Sequence, residues 1–232
     1  MEQNKFFLII SRINSVLILL VAIGAIISIA FFMGASNDWG KRNAVQVKAD
    51  SDESENESID LRLGSLEEMT GHNIQTINLS SNKPSRGLSS GYGGSQIRNV
   101  LFLSGEDLES KWLYEKHSNL IDCFCRLQAS NKYNGEDPVL ALYISIIKED
   151  TNNDGDLSDK DSVTLALARV DGSDYLEVDK GIAKILDSTV TDGGDSVSFL
   201  LHIGSNVVVK KYSLSTFELI SGRTISEISK KL

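Results

Sequence analysis

Proline and cysteine are scarce in this 232-residue chain, with two of each, and histidine occurs only three times. Two prolines, and glycines with no period of three, exclude a collagen-like rod. Two cysteines are too few for a disulfide-built scaffold. They flank Phe124 as Cys123 and Cys125, so the Cys-x-x-Cys spacing of a redox pair is missing, and no further Cys or His completes a zinc site. A bridge across so tight a ring is strained, and both are expected as free buried thiols. His72, His117 and His202 lie far apart, none with a partner at metal spacing. Basic residues are the minority, 23 against 32 acidic, for a net charge of −9. A surface that neutralises nucleic-acid phosphates needs clustered Lys and Arg, so no nucleic-acid partner is expected. There is no Gly-x-Ser-x-Gly elbow, and the glycine-rich run Ser89–Gln96 lacks the lysine of a phosphate loop. No catalytic residue is nominated, and neither an enzyme activity nor a small-molecule substrate is expected.

What the chain does have is apolar mass: 41% of its residues are hydrophobic, too many for a wholly disordered polymer. The densest stretch is N-terminal. Between Arg12 and Asp38 lie 25 residues without a charge. A helix over residues 13–34 would be about 33 Å long, enough to cross a hydrocarbon core of about 30 Å. An isolated segment satisfies its backbone in lipid only as a helix. The run exceeds the apolar region of a cleaved signal peptide. Lys5 and Arg12 precede it, while Lys41, Arg42 and Lys48 come after it, so the positive-inside count is nearly even. The large domain on the C-terminal side of the run favours a short cytoplasmic tail, residues 1–12, and an exported C-terminal part. Trp39 sits where an indole suits the headgroup layer.

Residues 35–57 read as an acidic tether. Asp50, Asp52, Glu53, Glu55 and Glu57 repel one another among Ser and Asn, and little there can be buried. From residue 58 the hydrophobic period is two. Ile59, Leu61 and Leu63 form one alternating set. Leu140, Leu142, Ile144 and Ile146 form another, with a milder set between them. Val163, Leu165 and Leu167, then Val197, Phe199, Leu201 and Ile203, complete the pattern. Each set turns one side of a strand into a core. Turn residues fall between them at Asp171-Gly172, Asp192-Gly193-Gly194 and Gly204-Ser205-Asn206. Residues 58–232 are therefore expected to be an all-β domain of antiparallel strands, with single helical turns possible only at Ser65–Met69 and Gly105–Ser110. Trp112-Leu113-Tyr114 is expected as core or edge packing, or else as an exposed aromatic anchor for a partner.

The spacing of strands over 139–147, 163–170, 174–179, 183–190, 197–203, 207–214 and 217–225 gives two rounds of consecutive antiparallel strands. Asn99-Val-Leu-Phe-Leu-Ser-Gly105, the stretch from Leu142 to Leu157 and Leu167-Ala-Arg-Val-Asp-Gly-Ser-Asp174 resemble the TolB-like and WD40-like propeller repeats of bacterial envelope proteins, over residues 97–225. The resemblance implies propeller-like sheets of four strands in roughly 40–45 residues, about four blades in the domain. The Trp-Ser-Pro-Asp-Gly blade signature is absent. An open stack of β-sheets, or a β-sandwich, is the alternative that the same periodicity allows.

One motif carries chemistry. Asp150-Thr-Asn-Asn-Asp-Gly-Asp-Leu-Ser-Asp-Lys-Asp161 has oxygen donors at positions 1, 3, 5 and 12 and glycine at 6, and so is similar to EF-hand and dockerin-type calcium loops. A hard divalent cation takes six to eight oxygens, and side chains two apart in a coiling loop converge on one point. Asp150, Asn152, Asp154, Ser158 and Asp161 are the expected ligands, with Asp156 contributing its carbonyl and Leu157 free to plug the core. Position 12 is Asp rather than Glu, and the flanks read as strands, so a structural calcium clamp in a β-hairpin is expected rather than a helix-pair switch. An empty acidic turn is the alternative, since Asp, Asn and Gly favour turns without metal.

Together these readings predict a single-pass protein of a bacterial inner membrane with a periplasmic, calcium-stabilised β domain that binds or scaffolds an envelope protein partner, through loops such as Gly91–Gly94 and 129–137. An envelope sensor or signalling input module is the alternative, and a hydrolase a third.

Overall fold

The computed structural model of the chain describes residues 15–18, 20–25, 46–47, 61–84, 95–129 and 137–227. The chain divides into two compact units, residues 1–44 and 45–232. In the first, residues 15–18 and 20–25 are helical, and every one of them is exposed. Among the described residues no helix is long and apolar enough to cross a membrane. The remainder of the expected 13–34 span and the 1–12 tail lie outside the described residues.

The second unit is built from β-strands. In chain order they are β1 (Gln46–Val47), β2 (Leu61–Glu68), β3 (Ile74–Pro84), β4 (Ser95–Ser104), β5 (Glu109–Trp112), β6 (Leu120–Gln128), β7 (Val139–Ile147), β8 (Val163–Ala168), β9 (Leu176–Ile182), β10 (Lys184–Thr191), β11 (Ser196–Ile203), β12 (Asn206–Ser213) and β13 (Leu219–Glu227). Each pairs antiparallel with its neighbours. β1 pairs with β2, so two residues of the expected tether join the sheet. The possible helical turn at Ser65–Met69 is instead the end of β2, because Leu66 pairs with Ile77 across the strand boundary. Gly105–Leu108 forms a tight turn into β5.

No ring closes. The strands order as β1-β2-β3-β4-β6-β7-β8-β9, with β5 on β4, and as a separate β10-β11-β12-β13 sheet. β4 and β6 meet through one residue pair, Ile97 and Ile121. The first sheet is thus two meanders joined at a point, and the whole is three meanders of about four strands. The expected propeller is corrected to an antiparallel stack for a simple reason: a ring needs at least four such sheets.

The stack is held by two apolar interfaces, one on each face of β6–β9. Ala141, Ile147, Leu165 and Leu167 pack against Val197, Phe199, Leu201 and Tyr212 of β11 and β12. The alternate residues Leu142, Ile144, Ile146, Ala166 and Ala168 pack against Ile97, Val100 and Phe102 of β4. Period-two patterning makes this possible, because neighbouring residues on one strand face opposite ways. Edge-to-face aromatic pairs sit at both interfaces, Phe102–Phe124 at 5.9 Å and Tyr143–Phe199 at 5.2 Å.

Where β5 ends, a side chain takes over from the strand. The Asn99 amide, fully buried, accepts from the Tyr114 N–H (3.1 Å) and donates to the Tyr114 carbonyl (2.7 Å). It binds the crossover to β4 as a strand residue would, pairing both backbone polar groups of Tyr114.

The β8–β9 turn touches both neighbouring sheets. From it the Arg169 guanidinium donates to the carbonyls of Leu214 (2.9 Å) and Ser215 (2.5 Å) and lies 4.8 Å from the Phe217 ring centroid. Three residues on, Gly172 has φ +74°, and a Cβ there would meet the Phe102 ring at 2.6 Å. Gly204 also has positive φ, +59°, but its Cβ would meet nothing within 4 Å. Gly204→Ala should therefore cost only the left-handed strain, about 1–2 kcal/mol. Gly172→Ala adds overpacking against Phe102, for about 2–5 kcal/mol in total. Urea denaturation of the two variants compares them; equal losses would show that the turn does not press on Phe102.

Candidate functional site

The Asp150–Asp161 loop joins β7 to β8, the two central strands of the most buried sheet. Its winding is local. The Asp154 N–H donates to both Asp150 Oδ1 (3.1 Å) and Asn152 Oδ1 (2.8 Å), and the Gly155 N–H donates to Asp150 Oδ2 (2.7 Å). The Asp156 N–H reaches Asp154 Oδ1 at 3.1 Å. Positive φ at Asn153 (59°) and Gly155 (89°) gives the coil its sharp turn; glycine adopts that region without the Cβ penalty. Sharing one donor brings the Asp150 and Asn152 oxygens together. Leu157 packs against the core between β6–β9 and β10–β13, which anchors the loop's centre.

Asp161 has a different role from the others. It is 1% exposed. Its Oδ1 accepts from the N–H groups of Thr151 (2.8 Å) and Asn152 (3.2 Å), and its Oδ2 accepts from the Ser158 N–H (2.9 Å). The carboxylate therefore staples the loop's start to its end. Burial by itself would raise its pKa; the hydrogen bonds from Ser158, Asn152 and Thr151 outweigh this and hold it below the usual carboxylate range. Ser158 accepts from the Lys160 N–H through its hydroxyl (3.3 Å), and Lys160 Nζ lies 3.7 Å from Asp154 Oδ2. Among the described residues, no group of three or more His, Cys, Asp and Glu side chains is placed to hold a metal ion. The structure thus brings the predicted donors into one wound loop and commits Asp161 to the loop's own backbone.

Sequence reasoning missed Arg98. This β4 residue is 6% exposed, donates to Gln96 Oε1 (2.6 Å), and its Nε has no hydrogen-bond partner. Burial lowers its pKa, and attraction to Asp156 partly restores it. The Asp156 side chain is therefore within the field of a buried cation on β4, a strand distant from the loop in sequence. No spacing within the loop could have signalled this, since the two residues meet only through the fold.

Other titratable groups act as linkers. The Tyr114 hydroxyl donates to that of Tyr175 (3.1 Å), which donates to Glu177 (3.3 Å). Glu177 also pairs with Lys148 and Lys180. Burial pushes the Tyr114 and Tyr175 pKa values far above the usual tyrosine value. Burial, then the neighbouring Asp179 carboxylate, does the same to Tyr212. These shifts run away from neutral pH, opposite to what a nucleophile or general base needs. His72 Nε2 lies 2.7 Å from the Val139 carbonyl, and His117 Nδ1 lies 2.9 Å from Asn99 Nδ2. His202 is half-buried on the far side of β11 from Leu201. Cys123 and Cys125 are joined as a pair rather than free. β6 pairs regularly with β7 from Cys123 to Leu127, the register shift falling before Cys123, and the two Cα atoms are 5.5 Å apart, within disulfide range. Of the expected binding loops, Gly91–Gly94 and residues 130–136 lie outside the described residues.

Compared with known proteins, the chain matches no family model, no curated protein and no solved structure.

The staple makes a definite prediction. A depressed carboxylate stabilises the fold fully above its unfolded pKa, near 4, and loses that contribution as pH falls through its lower folded value. Asp161→Asn presents an amide N–H to one of the loop's donors and should cost about 1–3 kcal/mol at pH 7. The gap between variant and parent should narrow as pH falls from 5 towards 2. Urea midpoints across that range test it, and a gap independent of pH would rule the charged staple out.

Proposed function

We propose that this chain is a single-pass protein of a bacterial inner membrane whose periplasmic β unit binds or scaffolds another envelope protein. One observation carries the reading. The described N-terminal helical residues include Val16, Leu17, Ile18, Leu20, Val21 and Ile23, all exposed, from 45% at Ile23 to 65% at Ile18. A helix that is apolar all round needs a hydrophobic environment, and this one finds none within the described chain. A bilayer supplies it, with residues 13–34 as the span and 1–12 as the cytoplasmic tail. The stack of three antiparallel meanders offers a platform that binds through its outer faces and connecting loops. The role is binding rather than catalysis.

The reading includes calcium. Asp150, Asn152 and Asp154 would supply side-chain oxygens, Asp156 its carbonyl, and Ser158 and Asp161 the remainder, so that the ion clamps the β7–β8 connection. The shared Asp154 donor, which draws the Asp150 and Asn152 oxygens together, supports this assignment.

Two experiments test the two halves. The full chain should stay in the membrane pellet after alkaline carbonate extraction, with its β unit digested by protease once the outer membrane is permeabilised; release into the supernatant would refute the anchor. At calcium about 100-fold above the dissociation constant, binding adds about 2.7 kcal/mol, an upward shift of roughly 5–10 °C for a unit of this size. The shift should vanish with chelator and in the Asp150→Ala, Asp154→Ala double variant. Identical melting with calcium and chelator would remove calcium from the account.

A further inference from the structure

The Asn99 clamp ends on a histidine, and its hydrogen bonds fix that histidine's charge. Asn99 Oδ1 accepts from two backbone N–H groups, those of Val100 (2.8 Å) and Tyr114 (3.1 Å). Only the oxygen of a side-chain amide accepts, so the opposite atom is Nδ2, with two hydrogens to give. One goes to the Tyr114 carbonyl (2.7 Å) and the other to His117 Nδ1 (2.9 Å). His117 Nδ1 is therefore a bare acceptor, which makes the ring neutral with its proton on Nε2. Protonation of Nδ1 would set two N–H donors against each other. His72 is the opposite case. Its Nε2 faces the Val139 carbonyl at 2.7 Å, and a carbonyl only accepts, so that bond survives in either charge state.

The surroundings of His117 act in the same direction. The ring is half-buried, open enough to exchange a proton with water, and lies edge-to-face with Trp112 at 5.0 Å. From β4, the buried Arg98 guanidinium lies 3.5 Å from the carbonyl of the next residue, Ser118, and its charge opposes a second cation there. Asp156 of the β7–β8 loop offsets part of that charge. On β5, Lys111 lies in the field of Asp171, and the Tyr114 hydroxyl is turned to Tyr175. Glu115 and Lys116 of the crossover are exposed, where salt and water screen them. A hydrogen bond to the neutral ring and a nearby cation both disfavour the imidazolium. The crossover is tied to β4 by the Leu113 N–H on the Val100 carbonyl (2.9 Å) and by the two Asn99 bonds to Tyr114. His117 shares the Asn99 amide with Tyr114, so losing it loosens that tie as well.

We propose that His117 is an acid-sensitive lock on the β5–β6 crossover, residues 113–119: neutral, it completes the Asn99 clamp, and protonated, it breaks from Asn99 and frees the crossover from β4. The unfolded chain takes up the proton as pH falls through about 6.5 while the folded ring resists it, so the lock weakens from neutral pH towards acid. Hydrogen–deuterium exchange of the full chain in a mild non-ionic detergent, corrected for the intrinsic effect of pH, reads the crossover's protection. Between about pH 7.5 and about pH 5, on either side of the ordinary histidine value, protection over 113–119 should fall about 2–10-fold, the loss of one net hydrogen bond. His117→Gln, whose Oε1 accepts from Asn99 and does not titrate, should hold protection constant over that range. His72→Gln should behave as the parent does. A parent crossover equally protected at both pH values would overturn the proposal, as would a His117→Gln chain that loosens in acid like the parent. Imidazole nitrogen-15 shifts of the parent at neutral pH give a second reading that needs no variant: His117 should be the Nε2–H tautomer, and an Nδ1–H ring would overturn the lock too.

Discussion

The fold depends on one constraint: the central strands β7 and β8 of the β6–β9 meander have no solvent face. Leu142, Ile144 and Ile146 point one way from β7, while Ala141 and Ile147 point the other, and all are buried. Such a sheet is unstable unless something apolar lies against each side. The β2–β5 and β10–β13 meanders fill those two positions, and the β8–β9 turn braces both through Gly172 and Arg169. The acidic loop depends on the same constraint. Its two ends leave β7 and β8, adjacent central strands, so its start and finish are held one strand spacing apart by the best-packed pair in the molecule. Asp161 then has only to close a short gap.

Much of this was legible in the chain. The alternating sets at 140–146, 163–167 and 197–203 became β7, β8 and β11, and the turns at Asp171-Gly172 and Gly204-Ser205 fell where glycine was needed. The milder set between Leu140 and Ile146 held the clue to the architecture: Ala141 and Tyr143 face a second core rather than solvent. Periodicity says which residues share a side; it does not say how many layers will stack, and so it could not separate a ring from an open stack.

The loop was legible because its hydrogen bonds join residues two to eleven positions apart, a distance over which donor spacing is meaningful. The depth of Asp161 and the approach of Arg98 to Asp156 were not, since both depend on strands that meet only in the folded chain. Free thiols at Cys123 and Cys125 are what regular strand geometry implies, and the pairing of the two is not legible in their spacing. Asn99, one residue in an apolar run, carried no local sign that its amide would replace a strand.

Native-state hydrogen exchange tests the central claim most directly. If β7 and β8 are buried on both sides, their amides should exchange only through global unfolding and be the slowest in the chain, while β2 and β13 open at lower free energy. Amides of β7 and β8 that exchange as fast as those of β2 or β13, or that are lost in a separate earlier step, would contradict a stack organised around that sheet.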